Sequence, residues 1–189
     1  EHIEKAFDFG GMGSRNGVSA ALMVQSGFTG VREVLDGEHN MIEALSTEPR
    51  PEEMVAGLGT RFFVTETAIK TFSVGYPIQA PLDALLTLRR QHGLTADNVE
   101  RVVARLPEDG AKVVNGRAMP DVNIYYVLAV GLLEGAVSFA DSHSFEKMKD
   151  PRVTAVMKRV ELVADRSLMV PDAPRSGLVE VTLRDGRRV

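Results

Sequence analysis

The sequence contains no cysteine, and it has only four histidines among its 189 residues. Without cysteine the chain has no disulfide, no thiolate metal ligand and no thiol nucleophile, which suits a reducing compartment. The histidines, His2, His39, His92 and His143, stand far apart, and no two have the close helical spacing of a zinc site. We therefore expect a cytoplasmic protein without a metal centre.

Positive charge and long apolar runs are also scarce. The chain has 22 Lys and Arg against 26 Asp and Glu, so it lacks the basic surface that binds a phosphate backbone. No apolar run approaches the ~20 residues of a membrane-spanning helix, and residues 1–5 do not resemble a signal peptide. With 44% hydrophobic and 25% charged residues, the composition is that of a folded globular protein. We expect no nucleic-acid or membrane partner.

The first third of the chain has a helical pattern. Residues 18–25 are apolar on nearly all sides, which predicts a helix buried among others, and Gly27 stands at its C-terminal cap. Shorter helical segments follow near 31–35 and 40, and another begins at Pro51 with Glu52 and Glu53 in its first turn. We interpret residues 1–66 as part of an all-helical domain.

The pattern changes from Arg61 onward, where aromatic and β-branched residues predict extended chain and a domain boundary near residue 66. Beyond it, helices are predicted from Pro81 to His92, from about Asp121 to Gly135, and from Pro151. Strands are predicted at 99–106, 159–163 and 179–183. Since strict βαβ repetition is missing, we predict an α+β domain over residues 67–189.

Three features could carry chemistry. The glycine-rich segment 9–17 precedes a helix, but it has neither the third glycine of a dinucleotide motif nor a Walker lysine. We interpret it as a tight turn. Lys5 and Lys70 each begin an unusual loop, although most lysines are simply solvated surface charges.

Three longer stretches are more specific than these single features. The first is EHIEKAFDFGGM at 1–12 with RNGVSAAL at 15–22; the second is IKTF at 69–72 with IQAPLDAL at 78–85; the third is MPDVNI at 119–124 with LLEG at 132–135. Together they resemble the MmgE/PrpD family, which contains 2-methylcitrate dehydratase, cis-aconitate decarboxylase and iminodisuccinate epimerase. The resemblance implies a helical domain followed by a smaller α+β lid. Because family members are much longer, and this chain neither begins with Met nor ends on a closing element, it also implies a fragment.

The chemistry that the resemblance implies is proton removal next to a carboxylate, without a metal or organic cofactor. Removal of that proton adds negative charge to the carboxylate oxygens, so a fixed cation stabilises the transition state. Lys5 is similar to the family lysine before a glycine-containing turn, and Lys70 to the lysine at the hinge into the lid. We predict both as substrate-carboxylate ligands and electrostatic catalysts.

The sequence departs from the family after Lys70. Gly75 or Tyr76 stands where many members have Cys, and Gln79 stands where they have His. Gln79 can hydrogen-bond a substrate but cannot transfer protons near neutral pH. The family's acidic and histidine groups belong to the helical part before residue 1, so we expect this fragment alone to be inactive.

Two functional hypotheses remain at this point. The first is part of a homodimeric, cofactor-independent lyase or isomerase, 2-methylcitrate dehydratase-like, acting on a small di- or tricarboxylic acid. The alternative is a non-catalytic, homo-oligomeric binding module of the same fold. The presence of Gln79 where many family members have His supports this alternative. The apolar stretch 125–133 suits either a core helix or a dimer interface, with one of Tyr125 and Tyr126 packed inward.

Overall fold

The computed structural model describes residues 6–189, with side chains from residue 8 onward. The chain forms two compact units, residues 1–68 and residues 69–189. The assignment of residues 1–66 to a larger helical domain stays a prediction. In the part of the chain that the structure describes, no helix has both the length and the apolar character to cross a membrane.

The first unit consists of short helices. A π-helix at Ala6–Gly11 leads into helix α1 at Met12–Gln25, helix α2 follows at Met41–Leu45, and 3-10 turns occupy Pro51–Met54 and Phe63–Glu66. Gly27 has a φ of 100°, as a glycine just beyond a helix C-terminus often has. The tight turn predicted at 9–17 is wrong, because that segment is helical throughout.

Two further predictions for this unit need correction. The helix at 18–25 exists within α1, but no residue of α1 is buried among the described residues. The extended chain predicted from Arg61 contains a 3-10 turn at Phe63–Glu66 instead. There the Thr65 hydroxyl donates to the Phe62 carbonyl at 2.7 Å and the Thr67 hydroxyl to the Phe63 carbonyl at 2.9 Å. Such local hydrogen bonds compete with strand formation.

The second unit combines helices with a small sheet, so the predicted α+β fold class is confirmed. Its helices are α3 at Gln79–His92, α4 at Glu108–Val114, α5 at Ile124–Glu134, α6 at Phe139–Ser142 and α7 at Pro151–Met157. Its strands are β1 at Val99–Leu106, β2 at Val160–Ala164 and β3 at Leu178–Leu183, in the order β2-β1-β3. Strand β1 pairs with β2 in parallel and with β3 antiparallel.

Local chemistry accounts for the helix ends. Helices α3 and α5 end at Gly93 and Gly135, which have φ of 62° and 76°, a left-handed conformation that favours glycine. The Asn123 side chain accepts a hydrogen bond from Tyr126 N at the start of α5, and Asp150 accepts one from Arg152 N at the start of α7. The sequence therefore specifies where these helices begin and end.

Helix α5 is a core helix of this unit. All but three of its residues are buried, and its Gly131 allows α3 to approach, since an added Cβ there would lie 2.9 Å from Leu82 Cδ1. Tyr126 is fully buried and donates from its hydroxyl to the Asp141 carbonyl at 2.6 Å, whereas Tyr125 is half-buried. The prediction that one tyrosine packs inward is confirmed, and the stretch 125–133 belongs to the core.

Candidate active site

A cleft of about 300 Å³ lies in the second unit beside the segment that precedes α3. We call residues 70–75 the Lys70 loop. The loop forms one side of the cleft, and the other residues that line it are Asp121, Phe139 and His143. The volume is at the lower end of the roughly 300–1,000 Å³ of small-molecule sites. The cleft is therefore large enough for a small organic acid.

Lys70 and Gln79 meet at one backbone oxygen in this loop. Lys70 Nζ donates to the Val74 carbonyl at 3.1 Å, and Gln79 Nε2 donates to the same carbonyl at 3.2 Å. Val74 itself is buried, with 2% of its surface exposed. The fold thus brings together two of the three predicted site residues. Lys5, the third, lies outside the described residues.

Gln79 holds the Lys70 loop through both ends of its amide. Its Oε1 accepts from Phe72 N at 3.1 Å, and its Nε2 donates to Phe72 O at 2.8 Å as well as to Val74 O. An amide nitrogen has two protons, so both are used here. The arrangement positions the loop, and the predicted contact of Gln79 with a substrate stays a prediction.

Lys70 has hydrogen-bonding capacity to spare. Its ammonium group has three donors, and one of them bonds Val74 O. Within the described residues, no carboxylate forms a salt bridge with Lys70. Lys70 is exposed at the cleft. An anion entering the cleft would therefore meet two available N–H groups on a cation.

The Lys70 loop is also tied to the 3-10 turn at Pro120–Val122. Gly75 N donates to the Asp121 carbonyl at 2.7 Å. A Cβ added at Gly75 would lie 3.2 Å from Val122 Cγ1, so the close approach of these two segments requires a small residue. Asp121 itself lines the cleft, so the cleft contains an acidic residue as well as the cation of Lys70.

The other side of the cleft is α6, which is fixed at its beginning by a capping box. Ser138 Oγ accepts from Asp141 N at 3.1 Å, and Asp141 Oδ2 accepts from Ser138 N at 3.0 Å. Lys147 Nζ then donates to Asp141 Oδ1 at 2.6 Å and lies 2.5 Å from Glu134 Oε1. These bonds connect α6 to the end of α5.

The Lys147 network shifts the pKa of both partners. The hydrogen bond from Lys147, followed by that from the Ser138 hydroxyl, lowers the pKa of Asp141 to about 2. Burial lowers the pKa of Lys147, but the hydrogen bonds to Asp141 and Glu134 outweigh it, so that the pKa is raised overall. Both groups are therefore charged throughout the neutral range.

Phe139, the first residue of α6, and His143, which follows directly after α6, are exposed and line the cleft. Their rings stack with centroids 4.2 Å apart and planes inclined by 25°. His143 Nδ1 lies 2.9 Å from both the Phe139 carbonyl oxygen and Ser142 Oγ. Sequence reasoning missed this wall of the cleft. The pattern Ser138-x-x-Asp141 ahead of His143 was the available signal for a helix start at this position.

The charged groups of the cleft do not form a metal site. Among residues 6–189, no three His, Cys, Asp or Glu side chains come together as metal ligands. Lys70, Asp121 and His143 are the ionisable residues that line the cleft. With histidine counted as neutral, their formal charges cancel.

Comparison with known proteins identifies the family to which this chain belongs. Residues 72–189 match the MmgE/PrpD C-terminal domain. The chain belongs to the MmgE/PrpD family. One MmgE/PrpD relative is the mitochondrial 2-methylcitrate dehydratase of Yarrowia lipolytica, which is 29% identical over 105 residues. That match covers 50% of this chain and 20% of the dehydratase, so the chain corresponds to a small part of its relative.

The MmgE/PrpD match includes most of the residues described above. It begins at Phe72, so Gln79, Asp121, the Lys147 network and His143 all lie in the matched domain. Lys70 stands two residues before it. The cleft is therefore a feature of the C-terminal domain and of the segment that leads into it.

Proposed function

We propose that this chain is part of a cofactor-independent lyase or isomerase that removes a proton next to a carboxylate of a small di- or tricarboxylic acid. The cleft beside the Lys70 loop binds one carboxylate of that acid. The observation that carries the proposal is the ammonium group of Lys70, which faces the cleft with two unused donors. Membership of the MmgE/PrpD family and the related dehydratase support it.

The chemistry follows from where charge develops. When a proton leaves the carbon next to a carboxylate, its electron pair moves toward the carboxylate oxygens and forms an enediolate. A cation that already bonds those oxygens gains interaction energy as their charge increases. Lys70 is suited to this role because the Val74 carbonyl holds its ammonium group at the cleft.

Gln79 and Lys5 have different roles in this proposal. Gln79 is a positioning residue, since its amide fixes the backbone of Phe72 and Val74 and, through Val74 O, the bond that Lys70 makes. Lys5 is the second cation for the same acid, on the resemblance of its segment to the family lysine. In the full-length enzyme the two lysines would bind two carboxylates, which suits di- and tricarboxylic acids.

The test is proton exchange in the full-length protein that contains this chain. Proton NMR in deuterated water, with citrate-like and aspartate-like acids, reports loss of the signal next to a carboxylate. We expect exchange with at least one acid, and Lys70→Gln should slow it about a hundred- to a thousandfold, as loss of one preorganised charge-stabilising donor does. Lys158→Gln removes an exposed lysine outside the cleft and should leave the rate unchanged.

The same experiment separates the alternative function. A non-catalytic, homo-oligomeric binding module would show no exchange with any acid and would form an oligomer in sedimentation experiments. Exchange that is equally fast in Lys70→Gln and in the wild type would contradict the role given to Lys70. We expect the homodimer predicted from the family resemblance in either case, so the oligomeric state alone does not decide between the two functions.

A further inference from the structure

His143 is held in one orientation at the cleft. It follows directly after α6, and its ring stacks on Phe139 one helical turn earlier. Its Nδ1 lies 2.9 Å from the Phe139 carbonyl oxygen and 2.9 Å from Ser142 Oγ. Because Ser142 is fully buried and belongs to the capped helix α6, the imidazole has a rigid support.

These contacts determine the tautomer of His143. A carbonyl oxygen only accepts hydrogen bonds, so the short Nδ1 contact with Phe139 O requires a proton on Nδ1. Ser142 Oγ donates to the same carbonyl at 2.9 Å, which uses the second lone pair of that oxygen. The opposite tautomer would leave Nδ1 and the carbonyl as two facing acceptors. The neutral ring therefore carries its lone pair on Nε2.

Nε2 is the available nitrogen of this ring. Within residues 6–189 it forms no hydrogen bond, whereas Nδ1 has two neighbours within bonding distance. His143 lines the same cleft as Lys70 and Asp121. Asp141 lies two residues before it in the sequence, and its carboxylate bonds Lys147 and Ser138. The imidazole thus shares the cleft with a cation and an anion, and its Nε2 is a free proton acceptor.

We propose that His143 is the proton-transfer residue of this cleft, with Nε2 directed at the acid that Lys70 binds. The inference rests on the proposed function. Nε2 takes the proton from the carbon next to the carboxylate, and the C–H electron pair moves into the carboxylate as an enediolate beside Lys70. The imidazolium keeps Nδ1–H on the Phe139 carbonyl and stacks on the Phe139 ring. In the reverse step the proton returns from Nε2 to carbon.

The contacts of His143 persist when its ring takes up the proton in this step. The Phe139 carbonyl and Ser142 Oγ are both acceptors beside Nδ1–H, and the Phe139 ring offers its π face to the cation. Asp121 adds a negative charge in the same cleft. In this proposal the cleft contains an acid–base group of its own. The family resemblance had placed such groups in the helical part before residue 1.

Two substitutions at His143 separate proton transfer from structure. His143→Asn keeps an amide near Nδ1, which can still donate to Phe139 O, and removes Nε2. His143→Gln places an amide near Nε2 that cannot be protonated. Both should slow exchange in the full-length protein about a hundredfold or more and change the pH profile of the exchange rate. His92→Asn, at the exposed end of α3, is the matched control and should change neither.

The outcomes distinguish this inference from the proposed function. Exchange that persists in both His143 variants with the wild-type pH profile, while Lys70→Gln abolishes it, would overturn the role of His143 alone. Absence of exchange in the wild type would overturn the proposed function and this inference with it. Nitrogen-15 NMR of the histidine-labelled full-length protein, with His143→Asn identifying the signal, tests the tautomer directly. A neutral His143 protonated on Nε2 would also overturn the inference.

Discussion

The side-chain amide of Gln79 bonds the backbone of Phe72 in both directions, with Oε1 accepting from Phe72 N at 3.1 Å and Nε2 donating to Phe72 O at 2.8 Å. This is the hydrogen-bonding pattern of a strand neighbour, provided here by one side chain. It fixes the Lys70 loop on the first residue of α3. The geometry of the cleft thus depends on a side chain that forms hydrogen bonds but cannot transfer protons near neutral pH.

Gln79→Glu should loosen this loop. The carboxylate can still accept from Phe72 N, but it faces the carbonyl oxygens of Phe72 and Val74 with no proton to donate. Loss of these bonds should destabilise the loop by about 1–3 kcal/mol. We expect faster hydrogen exchange at the amides of Phe72 and Val74, measured by NMR or mass spectrometry.

Gln91→Glu is the matched control for that variant. It makes the same chemical change at an exposed position near the other end of α3. Its hydrogen exchange at Phe72 should equal that of the wild type. Unchanged protection of Phe72 in Gln79→Glu would show that the loop holds its conformation without the amide.

Gly131→Ala should destabilise the second unit by overpacking. A methyl group there would lie 2.9 Å from Leu82 Cδ1, in the buried contact between α5 and α3. The expected loss in the free energy of unfolding is about 1–3 kcal/mol. All three tyrosines lie at residues 76, 125 and 126 and the chain has no tryptophan, so tyrosine fluorescence during urea unfolding reports on this unit.

A second substitution tests the cause. Leu82→Val shortens the side chain that the new methyl group meets, so Gly131→Ala should cost less in that background than in the wild type. Contacting residues commonly show such non-additivity. Strictly additive free energies would indicate that Leu82 moves away at no cost.

Asp141→Asn should weaken the support of α6 in a pH-dependent way. The folded pKa of Asp141 is lowered from 3.8 to about 2, so its ionic contribution is fully present above the unfolded pKa and is lost as the pH falls through the folded one. We expect a loss of about 1–2 kcal/mol at neutral pH. The difference from the wild type should shrink between pH 4 and pH 2 in urea titrations.

Asp172→Asn serves as the reference, because Asp172 is exposed and forms no salt bridge among the described residues. Its unfolding free energy should follow that of the wild type at every pH. A deficit in Asp141→Asn that is as large at pH 2 as at pH 7 would assign the effect to the lost capping bond rather than to the charge.

Most elements of the second unit could be predicted because the residues at their ends have known preferences for helix starts and helix ends. Pro151 with Asp150 marks the start of α7, Gly93 and Gly135 mark helix ends, and Val99–Leu106 contains the β-branched residues that favour a strand. The short helices α4 and α6 were missed. Each is too short to show a helical period, and the capping box of Ser138 was the one strong signal for α6.

The contacts that form the cleft could not be predicted from the sequence. Lys70 could be selected from its segment, but its meeting with Gln79 at Val74 O depends on the turn between them. His143 lines the cleft because the end of α6 lies beside the Lys70 loop. In the sequence, Lys70 precedes His143 by 73 residues. Such a long-range contact leaves no periodic trace in the sequence, so a scattered histidine carried no weight by itself.

Asp121 provides the last prediction, since this acidic residue lines the cleft in which Lys70 should bind an acid. Two unit charges about 4 Å apart interact by about 1 kcal/mol in water, so a bound carboxylate is opposed by Asp121. Asp121→Asn should therefore tighten binding of citrate several-fold, measured by calorimetry at low salt on the full-length protein. Added salt should reduce the difference, because the charges are partly exposed.

The control for Asp121→Asn is Asp83→Asn, which changes the net charge equally at an exposed position on α3 outside the cleft. If long-range charge were the cause, both variants would bind citrate more tightly by the same factor. If the cleft binds the carboxylate, the gain is confined to Asp121→Asn and disappears when Lys70→Gln is added. Equal gains in both variants would contradict a carboxylate-binding site at the Lys70 loop.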